Sequence, residues 1–213
     1  MWSQCLADVA NEAAPGATFT RERFVPHLAS GFPWHTPEAA HPDLSSPEAW
    51  WSALSPVLEQ ALVHGAGMSP LRAAELAPQV RSRYLAPDAW CVYDDVQPTL
   101  IELSKTGWNH MILSNHVPEL PSLVANLGLA HHFRLVLSSA TLGYEKPHPS
   151  AFAAAIAAAP AGSRLVMVGD SFVADYKGAM SAGIQAVLVR SSHPECQHQL
   201  PDLNSLPTHL NDA

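Results

Sequence analysis

Apolar residues recur at helical spacing over roughly the first 88 positions of the chain. A serine N-cap followed by a proline, Ser46-Pro47, is typical of a helix start. Apolar positions then follow every three or four residues, and Gly65 predicts the end of this helix. These positions are Trp50, Trp51, Leu54, Val57, Leu58 and Leu62. A second helix is predicted over residues 69–87, and the proline-rich stretch 26–47 is predicted to be irregular.

From about residue 90 the pattern changes to short apolar runs that alternate with helical segments. The runs predicted to be strands are 110–113, 133–137, 165–168 and 184–189. The helices predicted around them are 98–106, 119–126, 150–158 and 173–182. Strands that alternate with helices indicate a parallel sheet covered on both faces. The sequence therefore predicts an α/β, doubly wound (Rossmann-like) core over residues 90–213, preceded by a helical domain over residues 1–89.

Composition excludes several classes of partner. Hydrophobic residues make up 47% of the chain and charged residues 14%, which is typical of a globular protein. The net charge of −8 argues against a nucleic-acid backbone and against anionic membranes as partners.

The three cysteines are far apart in the sequence, which indicates a reducing cytoplasm. We expect no signal peptide at the N-terminus and no transmembrane segment, because the longest apolar stretch is short.

Polar residues follow three of the predicted strands or their loops. Ser114-Asn115 ends the first strand, Lys146 lies in a loop after the second, and Asp170 ends the third, with Asp175 five positions on. Ligands of such sheets bind at the carboxyl ends of the strands. A hydroxyl and an ammonium group can hold phosphoryl oxygens, and a carboxylate is a hard ligand for Mg²⁺. The residues therefore predict a combined anion and metal site.

Each of these residues also has a purely structural interpretation. Ser114-Asn115 alone would favour a helix N-cap, and Lys146 alone a solvated loop residue. Asp170 and Asp175 alone could cap and charge the start of a helix. His116 and His148 flank the candidate site, and no histidine has the spacing of a metal motif. The functional interpretation gains weight because the groups follow successive strands in one order.

That order is similar to the second, third and fourth motifs of the haloacid dehalogenase superfamily. The similarity covers roughly residues 93–190 and is carried by the segments ILSNHVPELP, LGYEKPHPSAF and VMVGDSFVADYKGAM. The helical first part resembles the helical cap of that family. The resemblance implies a Mg²⁺-dependent phosphatase that acts on a small phosphorylated metabolite through an aspartyl-phosphate.

The resemblance also implies a role for each residue. Ser114 would hydrogen-bond the transferred phosphoryl group with the support of Asn115, and Lys146 would neutralise its oxygens. Asp170 would ligate Mg²⁺, and Asp175 would assist, directly or through water and Lys146. The dehalogenase branch of the family needs no metal and usually lacks the Gly-Asp-Ser arrangement, so a 2-haloacid dehalogenase is the less favoured alternative.

One family motif is not found in the sequence. The family's first motif is an apolar strand that ends in two aspartates one residue apart, and the first of these aspartates is the nucleophile. Asp94-Asp95 are adjacent instead and are interpreted as a structural junction. The absent strand lies in mid-sheet in the family, so its loss would leave two neighbouring strands with unpaired edges.

Three hypotheses follow for this departure. The first is that the chain is an N-terminally incomplete form of a working enzyme. The second is a pseudoenzyme that binds phosphate without turnover. The third is an interaction protein that only reuses the fold.

Overall fold

The structure is a computed structural model that describes residues 1–211, and the chain divides into two compact units. The first unit comprises Met1–Thr36 and Asp43–Cys91, and the second comprises Pro37–Pro42 and Val92–Ala213. The short segment Pro37–Pro42 belongs with the second unit, where the His41 backbone N–H donates to the Gly143 carbonyl oxygen at 2.7 Å. Within residues 1–211, no helix combines the length and the apolar character that crossing a membrane requires.

The first unit is built from helices. Three α-helices account for most of it: α1 (Trp2–Ala13), α2 (Pro47–Ala66) and α3 (Pro70–Leu85). The predicted starts of the two longer helices are confirmed: Ser46 accepts a hydrogen bond from the Ala49 N–H, and Ser69 accepts one from the Arg72 N–H. Between α1 and α2 the described backbone forms short 3-10 turns and one isolated β-bridge between Pro15 and Ala17, in agreement with the predicted irregular stretch.

The predicted end of α2 was wrong by two residues. Gly65 lies inside the helix, and the helix ends at Ala66 with Gly67 in the left-handed conformation (φ +69°). Gly65 is instead a packing residue, because a Cβ atom there would meet the ring of Phe24 at 2.6 Å. The sequence pattern alone did not distinguish these two uses of glycine.

The second unit has the alternating order of strands and helices that the sequence predicts. Its elements are α4 (Val96–Lys105), β1 (His110–Ser114), α5 (Leu120–Asn126), β2 (Phe133–Ser138), α6 (Ser139–Leu142), α7 (Pro149–Ala158), β3 (Val166–Gly169), a π-helix (Phe172–Lys177), α8 (Gly178–Ser181), β4 (Gln185–Val189), β5 (Gln199–Leu200) and α9 (Leu206–Asn211). The four predicted strands are confirmed. The single helix predicted over residues 173–182 is instead a π-helix followed by α8.

The strands are parallel and helices cover both faces. Alternate residues of β4 point to opposite sides: Ala186 and Leu188 pack with residues of α7 and the π-helix, whereas Val187 and Val189 pack with α4 and α9. The α/β, doubly wound class is therefore confirmed.

The sheet is interrupted at the position that the sequence analysis anticipated. β1 pairs only with β2, with Ile112 opposite Val136, and β3 pairs with β4, with Val168 opposite Val187. Among residues 1–211, no strand pairs with both β1 and β3, so the unit contains a two-stranded sheet (β1-β2) and a three-stranded one (β3-β4-β5). The expectation that the family's first strand is absent is thus confirmed for the described chain.

Candidate functional site

Lys146 is the centre of the polar groups at the strand ends. Its side chain is almost fully buried, and its ammonium group donates to the Leu113 carbonyl oxygen at 2.7 Å and to Asp175 Oδ1 at 2.5 Å. Leu113 belongs to β1 and Asp175 to the π-helix after β3, so one lysine links the carboxyl ends of both strands. An ammonium group has three hydrogens. The two bonds leave one hydrogen for a bound anion.

Asn115 fixes the backbone of Lys146. Its Oδ1 accepts from the Lys146 N–H at 2.7 Å, and its Nδ2 donates to the Lys146 carbonyl oxygen at 2.8 Å. Both the oxygen and the nitrogen of the Asn115 amide are thus hydrogen-bonded to the Lys146 backbone. This geometry supports a positioning role for Asn115, and its place among the phosphate-binding residues, in support of Ser114, stays a prediction.

Asp175 is held by the π-helix. Ser171 begins this helix by accepting a hydrogen bond from the Ala174 N–H at 3.1 Å, and its own N–H donates to Asp175 Oδ2 at 2.9 Å. Both carboxylate oxygens are therefore engaged, one by Lys146 and one by Ser171. Gly169 makes this possible, because a Cβ atom there would overlap the Asp175 carboxylate. The sequence analysis assigned no role to Gly169.

The predicted groups converge on one cavity within the second unit. The cavity has a volume of about 460 Å³, and Ser114, Lys146, Asp170 and Asp175 all line it. Asp170 is exposed, whereas Asp175 is buried. Ligand pockets commonly have volumes of a few hundred Å³ with a small number of convergent polar groups. The site can hold a small anion next to a hydroxyl, an ammonium and a carboxylate.

The donor set suits a magnesium ion that shares its coordination with a substrate. Mg²⁺ is usually held by one or two carboxylates together with phosphate oxygens and water. Asp170 offers such a carboxylate at the cavity, whereas both oxygens of Asp175 are already engaged. No group of three or more His, Cys, Asp or Glu side chains within residues 1–211 could enclose a metal by itself. Direct ligation by Asp175 stays a prediction.

The two flanking histidines have structural surroundings. His148 Nδ1 accepts from the Ser150 N–H at 3.1 Å at the start of α7, and its ring stacks on Tyr144. Burial lowers the pKa of His116 to about 4, so this side chain is neutral at physiological pH. Neither histidine is among the residues that line the cavity.

A buried layer behind the site was missed from the sequence. The Ser138 hydroxyl lies 2.7 Å from the His116 carbonyl oxygen, to which it donates, and Ser139 Oγ accepts from the His116 N–H at 3.0 Å. Glu145 is 1% exposed, and burial raises its pKa to about 7 even though Ser139 and Lys146 act in the opposite direction. Two consecutive serines and a Glu-Lys pair are too common in loops to have indicated this layer.

Within the Asp94-Asp95 pair, Asp95 serves the structure of the second unit. Asp95 Oδ1 bonds the Arg190 guanidinium, and Oδ2 accepts from the Leu203 N–H at 2.9 Å. Asp94 is exposed. Arg190 has a positive φ of 58°, which is uncommon for a residue with a side chain. The contacts of Asp95 agree with the interpretation of this position as a structural junction.

Comparisons with known proteins point to one family. The family model described as haloacid dehalogenase-like hydrolase matches residues 12–183. A phosphoserine phosphatase from Thermus thermophilus is 36% identical over 166 residues, which cover 76% of this chain and 65% of the relative. The chain thus spans just under two thirds of the length of this curated relative.

Solved structures share the fold. A 2-haloacid dehalogenase from Pseudomonas syringae superposes with a TM-score of 0.66 at 26% identity, over 99% of this chain and 90% of the other. The HAD-hydrolase YfnB from Bacillus subtilis, in its magnesium-bound form, has a TM-score of 0.74 at 18% identity, over 99% and 91% of the two chains. At that identity the second likeness concerns the fold alone.

Proposed function

Since the chain belongs to the haloacid dehalogenase-like hydrolase family, we propose that it binds the phosphoryl group of a small phosphorylated metabolite for Mg²⁺-dependent hydrolysis. The observation that carries this proposal is the convergence of Ser114, Lys146 and Asp170 on one cavity. Phosphoryl transfer depends mainly on positioning and on neutralisation of charge, and these three groups supply both.

Each residue has a definite task in this proposal. The Ser114 hydroxyl donates to a phosphoryl oxygen, and the remaining hydrogen of the Lys146 ammonium group points a positive charge at the same group. Asn115 and Asp175 keep Lys146 in place through the bonds described above. Asp170 would hold Mg²⁺, which supplies further positive charge to the phosphoryl oxygens when it is bound.

The nucleophile is the open part of the proposal. The aspartyl-phosphate route of the family needs a carboxylate in line with phosphorus. Among the described residues, the only carboxylates that line the cavity are those of Asp170 and Asp175, and Asp175 is held by Lys146 and Ser171. We therefore propose that the attacking carboxylate comes from outside the described residues 1–211.

The same observation favours a second candidate function. A chain with the phosphate and metal groups but without a nucleophile would act as a binding module, in which phosphate is held and not turned over. The third candidate, hydrolysis of a 2-haloacid, is supported by the dehalogenase neighbour at 26% identity. The phosphatase relative at 36% identity and the Asp170 carboxylate at the cavity favour phosphate over a haloacid.

Two further points complete the proposal. We propose that the helical first unit, Met1–Thr36 and Asp43–Cys91, acts as the cap domain predicted over residues 1–89, and that substrate choice depends on it. No disulfide joins Cys5, Cys91 and Cys196, all of which the structure describes, and this supports a reducing, cytoplasmic location.

The test combines binding with turnover. Isothermal titration calorimetry with inorganic phosphate measures binding. The buffer contains about 5 to 10 millimolar Mg²⁺, so that a weak magnesium site is occupied. Hydrolysis of p-nitrophenyl phosphate and halide release from 2-chloropropionate measure turnover. Asp170→Ala is compared with Asp94→Ala, which removes an exposed carboxylate outside the cavity.

The outcomes separate the candidates. Mg²⁺-dependent hydrolysis that falls about 100-fold or more in Asp170→Ala, and is unchanged in Asp94→Ala, supports the phosphatase. Phosphate binding without hydrolysis excludes turnover by this chain alone, which is the result expected both of the binding module and of a phosphatase whose attacking carboxylate lies elsewhere. Halide release without phosphate binding supports the dehalogenase, and the absence of all three signals contradicts every one of these functions.

A further inference from the structure

The π-helix that carries Asp175 combines two hydrogen-bonding patterns. The Ser171 carbonyl oxygen accepts from the Asp175 N–H at 2.9 Å and from the Tyr176 N–H at 3.1 Å. The first is the bond of an α-helical turn, and the second, one residue longer, is the bond of a π-helical turn. Because π-helical turns are rare, we expect contacts from outside this turn to favour it over the α-helical form.

The loop that follows β4 supplies such contacts. The His193 ring stacks face to face on the Phe172 ring, with centroids 3.4 Å apart and planes inclined by 8°. The Gln197 N–H donates to the Tyr176 hydroxyl oxygen at 3.3 Å. The loop over residues 193–197 therefore contacts the π-helix at its first residue and again at its fifth.

The same loop is fixed by bonds of its own. The His193 N–H donates to Gln199 Oε1 at 3.0 Å, and His193 Nδ1 accepts from the Glu195 N–H at 3.2 Å. Cys196 is 7% exposed and belongs to the apolar cluster on which the π-helix packs. The His193 ring is thus presented to Phe172 in a defined orientation.

The π-helix connects this loop to the candidate site. Asp175 lies between the two residues that the loop contacts. Its Oδ1 accepts from the Lys146 ammonium group at 2.5 Å, and its Oδ2 accepts from the Ser171 N–H at 2.9 Å. Lys146 and Asp175 line the cavity, whereas His193 is not among the lining residues. An effect of His193 on the cavity therefore passes through the π-helix.

We propose that His193 is a positioning residue of the phosphate site. Through its stack on Phe172, it keeps the π-helix in the form that places Asp175 against Lys146. In an α-helical turn the Asp175 carboxylate would face another direction, and a buried ammonium group would lose its counter-charge. Under the proposed function, on which this step rests, the Lys146 ammonium group thereby keeps one hydrogen directed at the phosphoryl group.

Four variants of the full chain separate the ring of His193 from its other contacts. His193→Ala removes the ring, and His193→Phe keeps a flat ring without the Nδ1 acceptor. His193→Asn has no ring but keeps a short side chain that can accept from the Glu195 N–H. His198→Ala is the control, because it removes a neighbouring exposed histidine whose ring contacts His209 instead.

Phosphate affinity is measured by isothermal titration calorimetry in a buffer that contains Mg²⁺. It should fall about threefold to tenfold in His193→Ala and His193→Asn, which is the range expected for the loss of one aromatic stack. It should stay within about twofold of the wild type in His193→Phe and in the control. Because coupling between two sites is reciprocal, saturating phosphate should also slow hydrogen exchange in residues 193–197 of the wild type.

Hydrogen exchange without phosphate tests the positioning role independently of the proposed function. In His193→Ala, exchange should become faster in residues 172–177 and also in residues 143–148, the loop of Lys146. A wild type that binds no phosphate would refute the proposed function, and this exchange pattern would still support the positioning role. Faster exchange confined to residues 190–198 would overturn it.

Two affinity results would also overturn the proposal. A His193→Ala protein that is less stable but binds phosphate like the wild type would show that the stack only holds a surface loop. An equal loss of affinity in His193→Phe would show that the ring is not the cause. The melting transition shows whether each variant is folded, and if His193→Ala is not, His193→Asn takes its place in the comparison with His193→Phe.

Discussion

The Asn115 side-chain amide and the Lys146 backbone form a closed pair of hydrogen bonds, with Oδ1 bonded to the N–H at 2.7 Å and Nδ2 bonded to the carbonyl oxygen at 2.8 Å. The pair ties the end of β1 to the loop that carries the lysine. The Lys146 ammonium group can then donate to Leu113, the residue at the other side of Ser114. Both polar atoms of the Asn115 amide are thus engaged by Lys146, which supports a positioning role for Asn115.

Asn115→Ala should separate positioning from folding. The loss of two hydrogen bonds to a backbone that is largely buried should lower the free energy of unfolding by about 2 kcal/mol. Phosphate affinity, measured by calorimetry, should fall about tenfold because the ammonium group is no longer fixed. Asn126→Ala, at an exposed position of α5, should change neither quantity. An Asn115→Ala protein with unaltered phosphate affinity would contradict the positioning role.

The Lys146–Asp175 ion pair should behave as a unit. Both side chains are 8% exposed, so the removal of one charge leaves the other buried and uncompensated. Lys146→Met or Asp175→Asn alone should cost about 3 to 5 kcal/mol of unfolding free energy. The double variant should cost clearly less than the sum of the two, as measured by urea denaturation.

A second ion pair in the same unit provides the control for this cycle. Lys177 and Glu195 are 3.2 Å apart, with side chains 55% and 65% exposed. Lys177→Met should cost less than about 1 kcal/mol, because exposed pairs contribute little. Additive effects of Lys146→Met and Asp175→Asn would show that the two buried charges do not depend on each other.

Most of the fold was predictable because it depends on local patterns. The starts of α2 and α3 follow from a serine before a proline, and the strands follow from short apolar runs next to helical segments. Ser114, Lys146 and Asp170 were predictable as a group because parallel strands bring their carboxyl ends to one edge. The convergence of these three side chains on one cavity agrees with that rule.

What the sequence did not predict depends on contacts between distant residues. Gly65 and Gly67 are two positions apart and equally able to end a helix, and only the ring of Phe24 distinguishes them. The π-helix has no periodic signal of its own, and its effect is to bring Asp175 to Lys146. The burial of Glu145 results from tertiary packing, which the sequence around a loop does not encode locally.

The Asp95–Arg190 contact should stabilise the second unit through charge. Burial raises the pKa of Asp95, but the hydrogen bonds from the Leu203 N–H and from Arg190 lower it by more. The pKa of Asp95 therefore lies below the usual 3.8. Asp95→Asn should therefore cost about 2 kcal/mol at pH 7, measured by urea denaturation. Asp94→Asn, at the exposed neighbouring position, should change stability by less than about 0.5 kcal/mol.

The pH dependence of this effect has a definite sign. A carboxyl group with a lowered pKa contributes stability that is fully present above its unfolded value and is lost as the pH falls through its folded value. The difference in unfolding free energy between the wild type and Asp95→Asn should thus be constant from roughly pH 5 to 8 and should shrink below about pH 4. A difference that grows on acidification would exclude a stabilising charge at Asp95.

Glu145 should give the opposite pH dependence. Burial raises its pKa to about 7 from the ordinary 4.5, so between these values the folded state holds a proton that the unfolded state has released. The contribution of Glu145 to stability is therefore full below pH 4.5 and is lost as the pH rises to about 7. Glu145→Gln has no charge to bury, so at pH 8 it should be more stable than the wild type by about 2 to 3 kcal/mol.

The measurement that checks Glu145 is the difference in unfolding free energy between wild type and Glu145→Gln across this range of pH. Because other carboxyl groups titrate equally in both proteins, the difference isolates Glu145. The difference in unfolding free energy should be near zero at pH 4.5 and reach its plateau above pH 7. The reason is that the ionised Glu145 side chain is 1% exposed and its Oε2 has no hydrogen-bond partner among residues 1–211. Glu102→Gln, at an exposed position of α4, should show no such rise. A Glu145→Gln protein that is less stable than the wild type at pH 8 would mean that the carboxylate is stabilised where it lies.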